Sequence, residues 1–158
     1  LWIERTAHPR HWILMTFRRI HFALLALVAA CSSASMATEW RRVPGVISIY
    51  DDRETAQALT IPDTVTVGAS FTARVTTFGS GSCTRADGAT VQIAGSVAEI
   101  APFDLDAVGG GGVCTDDLRA FPRDVQLRLM VPGEALVRVR GTNIFGAPAT
   151  IERRIIVR

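Results

Sequence analysis

From residue 46 onward the chain alternates hydrophobic and polar positions with a period of two. Phe71, Ala73 and Val75 fall on one side of the run 70–78, with Thr72, Arg74 and Thr76 on the other. The same alternation places Val125, Leu127, Leu129 and Val131 opposite Gln126, Arg128 and Met130. It also sets Ala135, Val137 and Val139 against Leu136, Arg138 and Arg140. Successive side chains of a strand point to opposite faces, so this spacing predicts half-buried strands. Further short strands are expected at 46–50, 58–61, 64–67, 90–94 (Val91 and Ile93 inward), 97–101 and 150–157. Turns are expected at Asp51–Glu54, Pro62-Asp63, Gly79–Ser82, Gly95-Ser96 and Pro132-Gly133. Asp104–Gly112, ending in four glycines, reads as a loop, and Asp116–Arg123 as a turn or short helix. No stretch after residue 31 holds a 3.6-residue period over three turns. The pattern predicts an all-β fold: a two-sheet antiparallel sandwich of about seven to nine strands.

The run Val131-Pro132-Gly133-Glu134-Ala135-Leu136-Val137-Arg138-Val139-Arg140-Gly141 resembles the late hairpin of bacterial immunoglobulin-like domains. Pro62–Gly68 followed by Phe71–Val75 resembles their opening strands. The resemblance spans roughly residues 46–158 and implies an immunoglobulin-like sandwich domain over 45–158. It carries no functional residues over, because a core tryptophan and a late tyrosine are missing.

The N-terminal third has another character. Arg18 and Arg19 precede the nine-residue apolar run Phe22–Ala30, which is too short to cross a bilayer as a helix. A charged start, a short apolar run and a small-residue exit mark a cleaved export signal. Val28-Ala29-Ala30-Cys31 resembles a bacterial lipobox. That resemblance implies a signal peptide over 15–30, acylation of Cys31, and a lipidated tether over 31–44. It also implies a place in the bacterial cell envelope, with the outer membrane favoured by Ser32. A plain signal cut after Ala37 and a buried N-terminal helix are the other readings. Residues 1–14 fit no signal and read as an over-extended gene model, with Met15 as the start.

Composition narrows the chemistry. The three histidines, His8, His11 and His21, all precede Cys31, and the chain has no lysine. Residues 31–158 therefore cannot build a Ser-His-Asp, Cys-His or Ser-Lys arrangement, or a histidine-ligated zinc site. Arginine stays protonated and cannot act as the missing base. Residues 31–158 carry 13 arginines and 14 acids, so the basic balance of the whole chain belongs to the leader. With no arginine cluster interleaved with aromatics, a nucleic-acid partner is not expected.

Cys83 and Cys114 form an even pair in an exported domain and are expected to be disulfide-bonded. The segments that this bond joins, Ser80–Asp87 and Asp104–Arg119, are the candidate binding loops, with Arg85, Asp87, Asp104, Asp106, Asp116, Asp117 and Arg119 as candidate contact residues. Asp104, Asp106, Asp116 and Asp117 could alternatively offer oxygen ligands to calcium, although their spacing matches no standard calcium loop. No cofactor is expected. Arg128, Arg138 and Arg140, with Arg153 or Arg154, are read as outward charges that keep sheets from pairing or, alternatively, as a basic stripe. Phe103, Phe121 and Phe145 read as loop aromatics. The functional expectation is a non-enzymatic binding or structural module, anchored to a membrane, whose partner is an envelope protein or polymer. The alternatives are a loop-inserting protease inhibitor and a hydrolase run on carboxylates alone, drawn from Asp104, Asp106, Asp116 and Glu99.

Overall fold

A computed structural model describes residues 38–49, 57–108 and 113–158. The leader, Cys31, the turn at Asp51–Glu54 and the tetraglycine run lie outside these residues. Among the described residues ten strands follow one another: β1 (Glu39–Pro44), β2 (Val46–Ser48), β3 (Leu59–Thr60), β4 (Thr64–Val65), β5 (Ser70–Ser80), β6 (Thr84–Ala94), β7 (Val97–Val108), β8 (Leu118–Arg128), β9 (Gly133–Asn143) and β10 (Pro148–Val157). Residues Ala37–Arg158 make one compact unit.

The all-β expectation holds, and the alternation of the sequence is the reason. On β9, Ala135, Val137 and Val139 are buried, as are Ala73 and Val75 on β5 and Leu127 on β8, with Leu129 just beyond it. These side chains meet Ile47, Ile100, Ile155 and Val157 in a single aliphatic core inside the curl of the sheet. Each fully buried side chain of this kind contributes roughly 1.5–3 kcal/mol. Outward positions are polar and paired: Arg74 of β5 forks onto Asp124 of β8 at 2.8 and 3.1 Å across directly opposed residues. The fork lifts the Arg74 pKa and lowers that of Asp124.

The expectation of a purely antiparallel sheet is corrected. The strands form one curled, mixed sheet in which β7 and β9, β2 and β9, and β4 and β10 run parallel. Parallel neighbours arise because β8, which lies between β7 and β9 in sequence, pairs with β5 instead. β2 joins the two limbs of the curl, touching β9 on one side and β5 on the other. Gly45 is the corner between β1 and β2. Its amide donates to Pro102 O at 2.9 Å, and its carbonyl accepts from Thr142 N at 3.0 Å. A Cβ there would stand 2.4 Å from Thr77 Cγ2, so no other residue fits without displacing that side chain.

Several local readings are also corrected. Glu39–Pro44, expected in the tether, is strand β1, in continuous register with Phe103–Val108 of β7. Asp104–Val108 belongs to β7 rather than to a loop, and β8 begins at Leu118 where a turn or helix was expected. Thr84–Asp87 opens β6 instead of lying in a loop. Phe103 and Phe121 sit on strands; Phe145 alone of the three is in a turn, 74% exposed. Val91 and Ile93 share the core-side register of Ile100 and Ala98, yet Ile93 is 44% exposed. They lie on the free side of β6, which among the described residues pairs only with β7, where the opposing limb does not cover them. Val131 is likewise exposed, beyond the end of β8.

Candidate functional site

The predicted disulfide is present: Cys83 and Cys114 are bonded, with Cα atoms 5.5 Å apart. Cys83 sits just before β6 and Cys114 shortly before β8, so the bond ties together the starts of two strands. Hydrogen bonds extend the tie. Ser80 Oγ donates to Thr115 O at 2.9 Å, and Thr115 N donates to Ser82 Oγ at 2.9 Å. Asp117 accepts from the Thr115 hydroxyl, from Gly81 N at 3.0 Å and from Arg119 Nε at 2.8 Å. The Thr115 hydroxyl above all, then the Gly81 amide and Arg119, hold the Asp117 carboxyl below its ordinary range. Ser80 and Ser82 are thus structural hydroxyls. Of the predicted contact residues, Asp117 and Arg119 belong to this staple, and Asp116 stands exposed beside it.

Asp104 and Asp106 go elsewhere. Period two on β7 turns Ala98, Ile100, Pro102 and Asp104 to the interior, and Asp104 is only 2% exposed. Thr77 Oγ1 donates to Asp104 Oδ1 at 2.9 Å, and Arg123 of β8 pairs with the same oxygen. The Arg123 side chain is 10% exposed and also donates to the carbonyls of Gly88 and Phe103. Those carbonyls need a donor because β6 is irregular here. Its register against β7 shifts between Ala86 and Ala89, opposite Pro102, which has no amide hydrogen. The guanidinium, carried on β8, therefore stands in for ladder bonds missing between β6 and β7. Its Nε is the exception, a buried donor without a partner among the described residues.

Asp104 and Asp106 also line a cavity of about 320 Å³ at this end of the sheet. Pro44 and Val46 of the β1–β2 corner, Phe78 of β5 and Ile144 of the β9–β10 turn supply its apolar wall. Asp106 accepts from Thr84 Oγ1 at 3.2 Å. The β9–β10 turn is held by Asn143, the only asparagine of the chain, whose Oδ1 accepts from the amides of Phe145 and Ala147. The four aspartates weighed for calcium are divided among these settings. Among the described residues, no three metal-ligating side chains converge.

The remaining predicted residues lie on the outer face of β1, β7 and β6. Arg85 stacks over the Trp40 ring at 3.9 Å, and Arg42 over Phe103 at 3.9 Å. Arg42 Nε pairs with Asp87 at 2.6 Å. Further along the sheet the arginines are outward charges, as expected, and they form a charge ladder with acids rather than the alternative basic stripe. Arg140 meets Glu99 at 3.0 Å, Arg138 meets Glu152 at 2.7 Å, and Arg154 meets Glu134 at 3.3 Å. Arg128 lies apart on β8, donating to Gly68 O at 2.6 Å.

Sequence reasoning missed Arg123, Thr77 and Trp40. Alternation through Ala98, Ile100 and Pro102 could have placed Asp104 inward and so demanded a buried cation. Nothing local to residue 123 identifies it as that cation. Together these features define an all-β domain with a disulfide-stapled end and a small, acid-lined cavity beside it. No protein family matches the chain, and neither does any curated protein or solved structure.

Proposed function

We propose that this chain is a lipid-anchored cell-envelope protein: a non-enzymatic binding module held to a membrane by acylation of Cys31. The curled sheet is read as an immunoglobulin-like sandwich. One layer holds β1, β6, β7, β9, β10 and β4, the other β8, β5 and β3, and β2 bridges the two. Its stapled end, with the neighbouring cavity, is the surface offered to an envelope protein or polymer.

The observation that carries this reading is the Cys83–Cys114 bond, which joins the two segments expected to recognise a partner. Structural disulfides persist in exported, oxidising compartments, which agrees with the lipobox resemblance at Val28–Cys31. The non-enzymatic reading draws on the lack of histidine and lysine after residue 31. It draws also on the placement of the acids: Arg138 and Arg140 engage Glu99, and Arg123 engages Asp104.

Metabolic labelling with palmitate in a bacterial host tests the anchor. Wild-type protein takes label and loses its leader at Cys31, whereas Cys31→Ser takes none and keeps the leader. A wild-type product that carries no label, or that is cut at another residue, overturns the reading.

A further inference from the structure

We propose that the outer face carrying Trp40, Arg42, Arg85 and Phe103 rests on anionic lipid headgroups. The inference builds on the lipid-anchor reading and assigns the anchored domain an orientation.

Three observations meet on this face. The first is its chemistry. Trp40 is half-buried, with an indole ring that can sit at headgroup level, where tryptophan is enriched. Arg85 lies over that ring at 3.9 Å. The second is charge. Asp87 balances Arg42, whereas among the described residues Arg85 faces no carboxylate within ion-pair reach. Its exposed guanidinium is therefore left to meet an external anion, and anionic lipid attracts such residues near the surface. The third is chain length. Cys31 precedes Trp40 by nine positions, a reach of roughly 30 Å at full extension. An acylated Cys31 therefore brings β1 close to the bilayer. Short tethers impose effective concentrations on the order of millimolar, so a weak preference for headgroups is enough to populate the docked state.

The acylated, signal-processed protein supplies its own probe. Trp2 and Trp12 precede Cys31, so Trp40 is the single tryptophan left after processing. It is to be reconstituted in phosphatidylcholine vesicles with and without phosphatidylglycerol, each carrying brominated acyl chains as quenchers. The expected result is Trp40 quenching that requires phosphatidylglycerol and disappears in about 1 M salt, where the Debye length falls to about 3 Å. Arg85→Gln should lower the docked-to-free ratio about fivefold, the share of one surface arginine. Arg85→Lys should retain the effect, and unchanged urea midpoints exclude a folding defect. Quenching that is equal in both vesicle types, or unmoved by Arg85→Gln, overturns the docked face and leaves the anchor intact. If mass spectrometry finds no acyl group, the Cys31→Ser protein decides the face by co-sedimentation with the same vesicles. Sedimentation that depends on phosphatidylglycerol keeps the face without the anchor, and its absence removes both. Binding to soluble polygalacturonate with no response to phosphatidylglycerol reassigns the face to an acidic polymer and also overturns the proposal.

Discussion

Replacing Arg123 with methionine tests the account of the interior most directly. The substitution keeps the unbranched apolar stem of the side chain and removes the guanidinium. Asp104, with its side chain 3% exposed, then loses its charged partner, and the Gly88 and Phe103 carbonyls lose their donor. Breaking a buried ion pair from one side costs about 3–5 kcal/mol. The upper half of that range is expected, because each orphaned acceptor carries its own desolvation penalty. For a domain of roughly 120 residues this corresponds to a fall in Tm of about 10–20 °C. Replacing both partners, in Asp104→Leu with Arg123→Met, leaves no unpaired charge. The double variant should recover at least about 2 kcal/mol relative to the sum of the two single losses. Urea unfolding of the oxidised protein, followed by far-UV circular dichroism, supplies all four corners of the cycle. A loss under about 1 kcal/mol for Arg123→Met, or a cycle that adds without coupling, refutes the claim that this pair closes the gap between β6 and β7.

Three further outcomes follow from the structure. Cys83→Ser or Cys114→Ser should cost about 3.5–4 kcal/mol, the chain-entropy value for a loop of this size, read as a lower urea midpoint that dithiothreitol no longer shifts. Gly45→Ala drives a methyl into Thr77 Cγ2 and should cost about 1–3 kcal/mol; Thr77→Ser, which removes that methyl and keeps the hydroxyl on Asp104, should restore most of the loss in thermal melts. Because the folded-state pKa of Asp117 is depressed, its contribution is fully present above the ordinary value of 3.8 and is lost as pH falls through the lowered one. The Gly81 amide resonance should report this as an acid-side titration below pH 3.8 that Asp117→Asn abolishes.

The strands at 70–80, 133–143 and 148–157 are legible in the sequence because one of their faces meets the core and the other meets water. Alternation fails as a guide where that condition fails. Val91 and Ile93 alternate correctly but lie on an uncovered edge, and Asp104 breaks the apolar series on a strand that continues through it. Glu39–Pro44 has no apolar stripe of its own; it becomes a strand only because β7 supplies a partner in register. The candidate residues were legible as polar positions, but not as partners. Asp117 joins the staple, Asp104 and Asp106 line the cavity, and Arg85 and Asp87 face outward.

What the sequence determined by itself is the all-β class, the aliphatic core positions on β5, β8 and β9, and the pairing of Cys83 with Cys114. Each follows from a short-range pattern or from the presence of only two cysteines after residue 31. What only the tertiary structure decided is the parallel placement of β7 beside β9, the bend at Gly45 and the use of Arg123 to close the break in β6. Each depends on which distant backbone groups are left without partners once the sheet has curled, and no local stretch of sequence encodes that.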